Sequence, residues 1–179
     1  MLVYYATVFD SKNIHSWSGL GYYIGKMLEN EGISVRYLND LPIKYKVVHK
    51  LKKRLLKDIF NEGYSLNFNE DVAQQYAKLI EQRVPKGSII FSPNTVILAN
   101  LDRSYKKVLF TDATFERLLN FYPAYMNIKP ERIQRAQEIE RRALERSNLL
   151  IYTSEWASKS AVSHYHADPA KISIVPFGA

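Results

Sequence analysis

The sequence predicts an α/β fold, a doubly wound and mainly parallel sheet with helices on both faces. Three observations carry that expectation. Six short apolar runs rich in β-branched and aromatic residues alternate with stretches of helical periodicity. Several of those runs are apolar at successive positions, as strands covered on both faces are. Strand then helix, repeated along the chain, is the connectivity of parallel strands joined by right-handed crossovers.

The strands are expected at "LVYYATVF" (2–9), "ISVRYL" (33–38), "SIIFS" (88–92), "KVLFT" (107–111), "LLIYT" (149–153) and "ISIVP" (172–176). Helical patterns fall at 19–31, 43–60, 70–84, 113–121, 130–146 and 156–166. Pro130 suits a first helical position, and Pro85 with Gly87 closes one helix before the next strand opens.

A chain of 179 residues that is 46% hydrophobic can bury one good core but hardly two, so residues 1–179 are expected to form a single domain. No cysteine is present, which excludes disulfide stapling and thiolate–metal sites and suits a reducing, cytoplasmic setting. The apolar start "MLVYYATVFDSKN" lacks a basic n-region and is too short to span a membrane. Neither an internal repeat nor a low-complexity tract interrupts the chain.

In such a sheet, ligands collect outside the carboxyl ends of the strands. The residues there are the loop 10–18 with Gly19, then Pro93 and Asn94, Asp112, Ser154 with Glu155, and the final "PFGA". Gly19, Gly21 and Gly25 suggest a dinucleotide fingerprint, but about ten residues part Phe9 from Gly19, too many for a glycine turn tight against its strand. Gly21 and Gly25 read as close packing of helix on sheet. Ser18 as a cap and Gly19 without a Cβ would leave backbone N–H groups open to phosphate or sugar oxygens.

Asp112, in "FTDATFE", leaves two roles open: orienting or deprotonating a substrate hydroxyl, or capping the helix that follows. Ser154 and Glu155 likewise read as a helix N-terminus or as ligand contacts. His164 and His166 lie two apart on a helix, which turns them away from each other and argues against a shared metal.

Net charge is concentrated in one place. Within 43–60, Lys44, Lys46, Lys50, Lys52, Lys53, Arg54 and Lys57 face Asp58 alone, so this segment supplies nearly all of the formal +7. Val47, Leu51, Leu55 and Ile59 recur at four-residue steps, giving an amphipathic helix with a cationic face. That face is either an ordinary solvated wall or a contact, through Lys50, Lys53, Arg54 and Lys57, with an anionic membrane or a lipid-linked acceptor.

The stretch "WSGLGYYIGKMLENEGISV" resembles the first loop and helix of GT-B glycosyltransferases of family 4. "ALERSNLLIYTSEWASKSAVSHYHADPAKISIVPFGA" is similar to that family's run of helix, strand, Ser-capped helix and last strand entering a Pro-x-Gly turn. The resemblance covers essentially the whole chain, and the second passage is the more specific.

The resemblance implies a Rossmann-like N-terminal, acceptor-side half of a two-domain hexosyltransferase-like enzyme. The donor-binding C-terminal domain would lie past Ala179, and the fragment alone would be inactive. It implies a nucleotide-sugar co-substrate, a saccharide or lipid-linked acceptor, retention of configuration, and no metal or other cofactor. No Asp-x-Asp motif occurs in the chain. Asp112 is the expected catalytic residue and stands where many members carry a histidine-containing motif. Ser18, Gly19, Asn94, Ser154 and Glu155 are expected at the substrate. The expected location is cytoplasmic, with the basic helix at the inner face of the membrane.

Two other classes compete. A nucleotide-dependent oxidoreductase needs the tight glycine turn that is lacking. A non-enzymatic module binding an anionic membrane or nucleic acid explains the basic helix but leaves the strand-end residues without a task, and no nucleic-acid partner is expected.

Overall fold

The computed structural model describes residues 1–39, 41–43 and 69–177. The helix expected over 43–60, with Lys50, Lys53, Arg54 and Lys57, lies outside the described residues except for Ile43.

In chain order the elements are β1 (Leu2–Ala6), α1 (Leu20–Asn30), β2 (Ser34–Leu38), α2 (Glu70–Arg83), β3 (Ile89–Ser92), α3 (Thr95–Leu98) and β4 (Lys106–Thr111). They continue with α4 (Phe115–Leu118), α5 (Pro130–Arg146), β5 (Leu149–Tyr152), α6 (Glu155–Tyr165) and β6 (Ile172–Ile174). The strands form one sheet in the order β2-β1-β3-β4-β5-β6, parallel at every pairing. The architecture is the expected α/β, Rossmann-like, doubly wound sheet.

Alternation along the strands divides the core in two. Tyr4, Ile90, Leu109 and Leu150 pack with Ala73 and Ile80 of α2, Ile97 of α3, Ile139 and Ala143 of α5, and Ala161 of α6. On the opposite face, Val3, Tyr5, Phe91 and Phe110 pack with Ile24 of α1. An aromatic row crosses this face, with ring centroids 5.5 Å apart for Tyr5 and Phe91 and 6.1 Å for Phe91 and Phe110. Each large side chain so buried contributes roughly 1.5–3 kcal/mol.

Helix ends follow local chemistry. Asn69 caps α2 by accepting from the Asp71 N–H at 2.9 Å, with Glu70 and Asp71 in the first turn and Arg83 in the last. Pro130 opens α5 from its first turn. Gly25 lets α1 lie against β2: a Cβ there would sit 2.6 Å from Tyr37 Oη. One at Gly21 would strike the Phe9 ring.

Three elements depart from expectation. β1 ends at Ala6 and not at Phe9, because Thr7 Oγ1 donates to Phe9 O at 2.5 Å and the chain turns off the sheet. The helix expected over 113–121 is only Phe115–Leu118, followed by Asn120 in the left-handed region and a 3-10 turn at Pro123–Tyr125. The short helix α3 was not foreseen; it is four residues long and Val96, Ile97 and Leu98 are all buried, so it shows no helical period.

Among the described residues no helix is long and apolar enough to cross a membrane. Sheet order reverses between β1 and β3, which places the crevice of this fold at the ends of those strands.

Candidate functional site

The crevice holds a cleft of about 270 Å³. Val8, Phe9 and Trp17 follow β1, Pro93 to Val96 follow β3, and Thr111 ends β4, with Asp112, Ala113, Phe115, Leu118 and Tyr125 after it. Glu140 enters from α5. Four aromatic rings, two carboxyls and an amide therefore meet at one place, and none of the lining residues among those described is Lys, Arg or His.

The loops are held by side-chain bonds to backbone. Asn94 Oδ1 accepts from the Val8 N–H at 3.2 Å, and Ser92 Oγ accepts from the Asn94 N–H at 3.0 Å. Thr111 Oγ1 donates to Ala113 O at 3.3 Å, shaping the turn that carries Asp112. Phe9 and Trp17 stand 5.8 Å apart by ring centroids, and Phe115 and Tyr125 6.0 Å.

The N-terminus of α4 explains what Asp112 does not do. Thr114 is its N-cap residue, and no side chain caps the helix from that position; the Thr114 hydroxyl instead meets Ser160 Oγ at 2.7 Å. The first free N–H groups go elsewhere: Phe115 N–H donates to Glu140 Oε1 at 2.9 Å and Glu116 N–H to Tyr165 Oη at 3.0 Å. Asp112 is exposed at the cleft and makes no hydrogen bond among the described residues.

Glu140 is the group that sequence reading missed. It is 3% exposed. Burial pushes its carboxyl up to about 8, against the opposing pull of the Phe115 N–H. Its charge in turn helps to raise Tyr125, Tyr152 and Tyr165, in each of which burial is the larger cause. The signal was present in the sequence: Ala136, Ile139, Glu140, Ala143 and Leu144 form the buried stripe of α5, and an acid in an apolar stripe calls for an explanation.

The other expected residues stand apart from the lining. Trp17 and Ser18 lie in the left-handed region at φ 48° and 54°, followed by Gly19 at φ 85°, and Gly19 is the N-cap residue of α1. The expected Ser18 cap is therefore corrected: its backbone already turns the wrong way, and no side chain caps α1 from the N-cap position. Ser154 caps α6, accepting from the Ala157 N–H at 3.3 Å. Glu155 is exposed and pairs with Lys159 at 2.8 Å. His164 Nδ1 meets Ser163 Oγ at 2.9 Å.

Asn94 and Asp112 thus converge at the cleft with the unforeseen Glu140, whereas Ser18, Gly19, Ser154 and Glu155 do not line it. No protein-family model matches the chain, and no curated protein matches it.

Proposed function

We propose that the chain is the acceptor-side half of a glycosyltransferase that moves a sugar from a nucleotide-sugar donor with retention of configuration. The observation that supports this reading is the chemistry of the cleft. Aromatic faces, two carboxyls and an amide suit a neutral, polyhydroxylated ligand. A nucleoside diphosphate calls for cationic side chains or a metal ion, and the lining offers no Lys or Arg among the described residues. Donor phosphates then belong to a separate half, and the acceptor to this one.

In this reading Asp112 accepts a hydrogen bond from the acceptor hydroxyl and orients its oxygen at the anomeric carbon. The bond from that carbon to the donor diphosphate breaks as the new glycosidic bond forms on the same face, and the departing diphosphate oxygen takes the hydroxyl proton. Asn94 holds a neighbouring hydroxyl. Phe9, Trp17, Phe115 and Tyr125 supply the apolar walls. Residues 1–179 alone transfer no sugar, because the leaving diphosphate is left without preorganised positive charge in the cleft.

Amide NMR of the chain tests this directly, with methyl α-D-glucopyranoside, methyl α-D-mannopyranoside, UDP, GDP and NAD as probes. The glycosides are expected to shift Asn94, Asp112 and Ala113. Nucleotides shifting those amides while no glycoside does would overturn the reading in favour of a nucleotide-binding domain.

An acceptor linked to lipid is favoured by one further observation. Phe121 and Tyr122 are 68% and 50% exposed on the segment that joins Leu118 to Tyr125, both of which line the cleft. Rings so placed suit the membrane–water interface.

A further inference from the structure

Glu140 occupies the buried face of α5, in one stripe with Ala136, Ile139, Ala143 and Leu144. A carboxyl in such a position is costly unless it is bonded or put to use. Its Oε1 accepts from the Phe115 N–H at 2.9 Å, which fixes the carboxyl against the cleft it helps to line. Among the described residues this is the one hydrogen bond the carboxyl makes, and Oε2 has no protein partner.

We propose that Glu140 is a ligand-holding group at the floor of the cleft, its Oε2 hydrogen-bonded to one hydroxyl of the saccharide whose reacting hydroxyl meets Asp112. This assignment rests on the saccharide reading given above. It gives the cleft two carboxyls with different tasks.

Protonation sets the direction of that bond. With burial holding the group at about 8, the neutral acid prevails at pH 7 and can donate to a sugar oxygen. Around it stand Tyr125 beyond α4, Tyr152 on β5 and Tyr165 on α6, each sensing its charge. Asp112 acts on Tyr125 and Glu116 on Tyr165, and no cation contributes to the shift of Glu140 itself. Tyr152 Oη is buried and unpartnered in the same neighbourhood. Ionising Glu140 adds a negative charge with no compensating cation, so the acid form is the one a neutral ligand meets.

The test is the pH profile of saccharide affinity, read by amide NMR titration with methyl α-D-glucopyranoside and methyl α-D-mannopyranoside at pH 7 and pH 9. In the unaltered chain, affinity is expected to fall about tenfold from pH 7 to pH 9 as the acid form is depleted. Glu140→Gln keeps an acceptor for Phe115 and an N–H donor for the ligand but carries no titrating proton, so the affinity it retains is expected to show a flat profile from pH 7 to pH 9. A fall that persists in Glu140→Gln, or is absent from the unaltered chain, overturns the assignment while the saccharide reading stands. Failure of both glycosides to bind removes the reading and the assignment together. The carboxyl 13C titration of Glu140 in the unaltered chain provides a second measurement independent of any variant. Saturating glycoside is expected to move its midpoint to higher pH, and an unmoved midpoint also overturns the assignment.

Discussion

The backbone N–H of Val8 donates to the side-chain oxygen of Asn94 at 3.2 Å, joining the loop after β1 to the loop after β3. These two strands flank the reversal of sheet order, so a single amide holds both lips of the crevice. Its Nδ2 has no protein partner among the described residues and remains available to a ligand. Asn94→Ala is expected to cost about 1–2 kcal/mol, since the half-buried Val8 N–H loses its acceptor. Asn94→Asp keeps the acceptor and should recover most of that loss while still weakening glycoside binding. Urea midpoints and NMR titration separate the two effects.

Asp112→Asn is expected to leave stability within about 0.5 kcal/mol, because the exposed side chain holds no hydrogen bond among the described residues. In an enzyme carrying the donor-binding half, the same change should lower kcat about 10- to 100-fold through loss of the charged group that orients the acceptor hydroxyl. A melting temperature several degrees lower, with kcat unchanged, would return Asp112 to a structural role.

Glu140 makes stability fall as pH rises. Its folded-state value, about 8, lies above the ordinary 4.5, so between those limits the unfolded chain has released a proton that the native chain retains. Unfolding becomes progressively easier across that window and levels off above about pH 8, with a total effect on the order of 5 kcal/mol at most. Glu140→Gln removes this contribution. Chemical denaturation at pH 5, 7 and 9 is expected to show the variant gaining on the parent chain with each step. Parallel profiles would mean that the carboxyl is not held neutral.

Gly25→Ala is expected to destabilise by about 1–3 kcal/mol, because the new Cβ would fall 2.6 Å from Tyr37 Oη and 2.8 Å from Tyr37 Cε1. That hydroxyl is held by Glu29 at 2.8 Å and cannot give way freely. Tyr37→Leu should rescue part of the loss in the double variant, and a double-mutant cycle in urea measures the coupling.

The proposed lipid contact is supported by the exposed Phe121 and Tyr122 and by the cationic residues of the sequence segment 43–60. Replacing Lys50, Lys53, Arg54 and Lys57 with Gln is expected to reduce co-sedimentation with vesicles containing phosphatidylglycerol and to flatten its salt dependence. Phe121→Ser with Tyr122→Ser should weaken what binding is left at high salt. Equal sedimentation by parent and variants would exclude a lipid surface as partner.

Much of the fold was legible because its causes are local. The run "SIIFS" and helix α5 need only their own residues to declare a buried strand and an amphipathic helix opened by Pro130, and both lie within one residue of expectation. The strand-end rule brought Asn94 and Asp112 into view for the same reason, since a parallel sheet puts its carboxyl ends on one side. Where local pattern was weak, the reading slipped. α3 is a single turn, buried at Val96, Ile97 and Leu98, and α4 is cut short by the left-handed Asn120, and neither has the length to show a period.

By itself the sequence determined the class of the sheet and the succession of its six strands, because hydrophobic period and turn chemistry are properties of neighbours along the chain. Only the tertiary structure decided which of the strand-end residues meet. Ser154 is used up in capping α6, and Ser18 is turned away by its backbone. Glu140, 25 residues along the chain from Phe115, is carried by α5 to that residue's N–H and to the cleft that Asp112 lines. The physical reason is that burial and desolvation are set by every element packed around a group. No window of sequence contains the walls that make the Glu140 carboxyl a neutral acid.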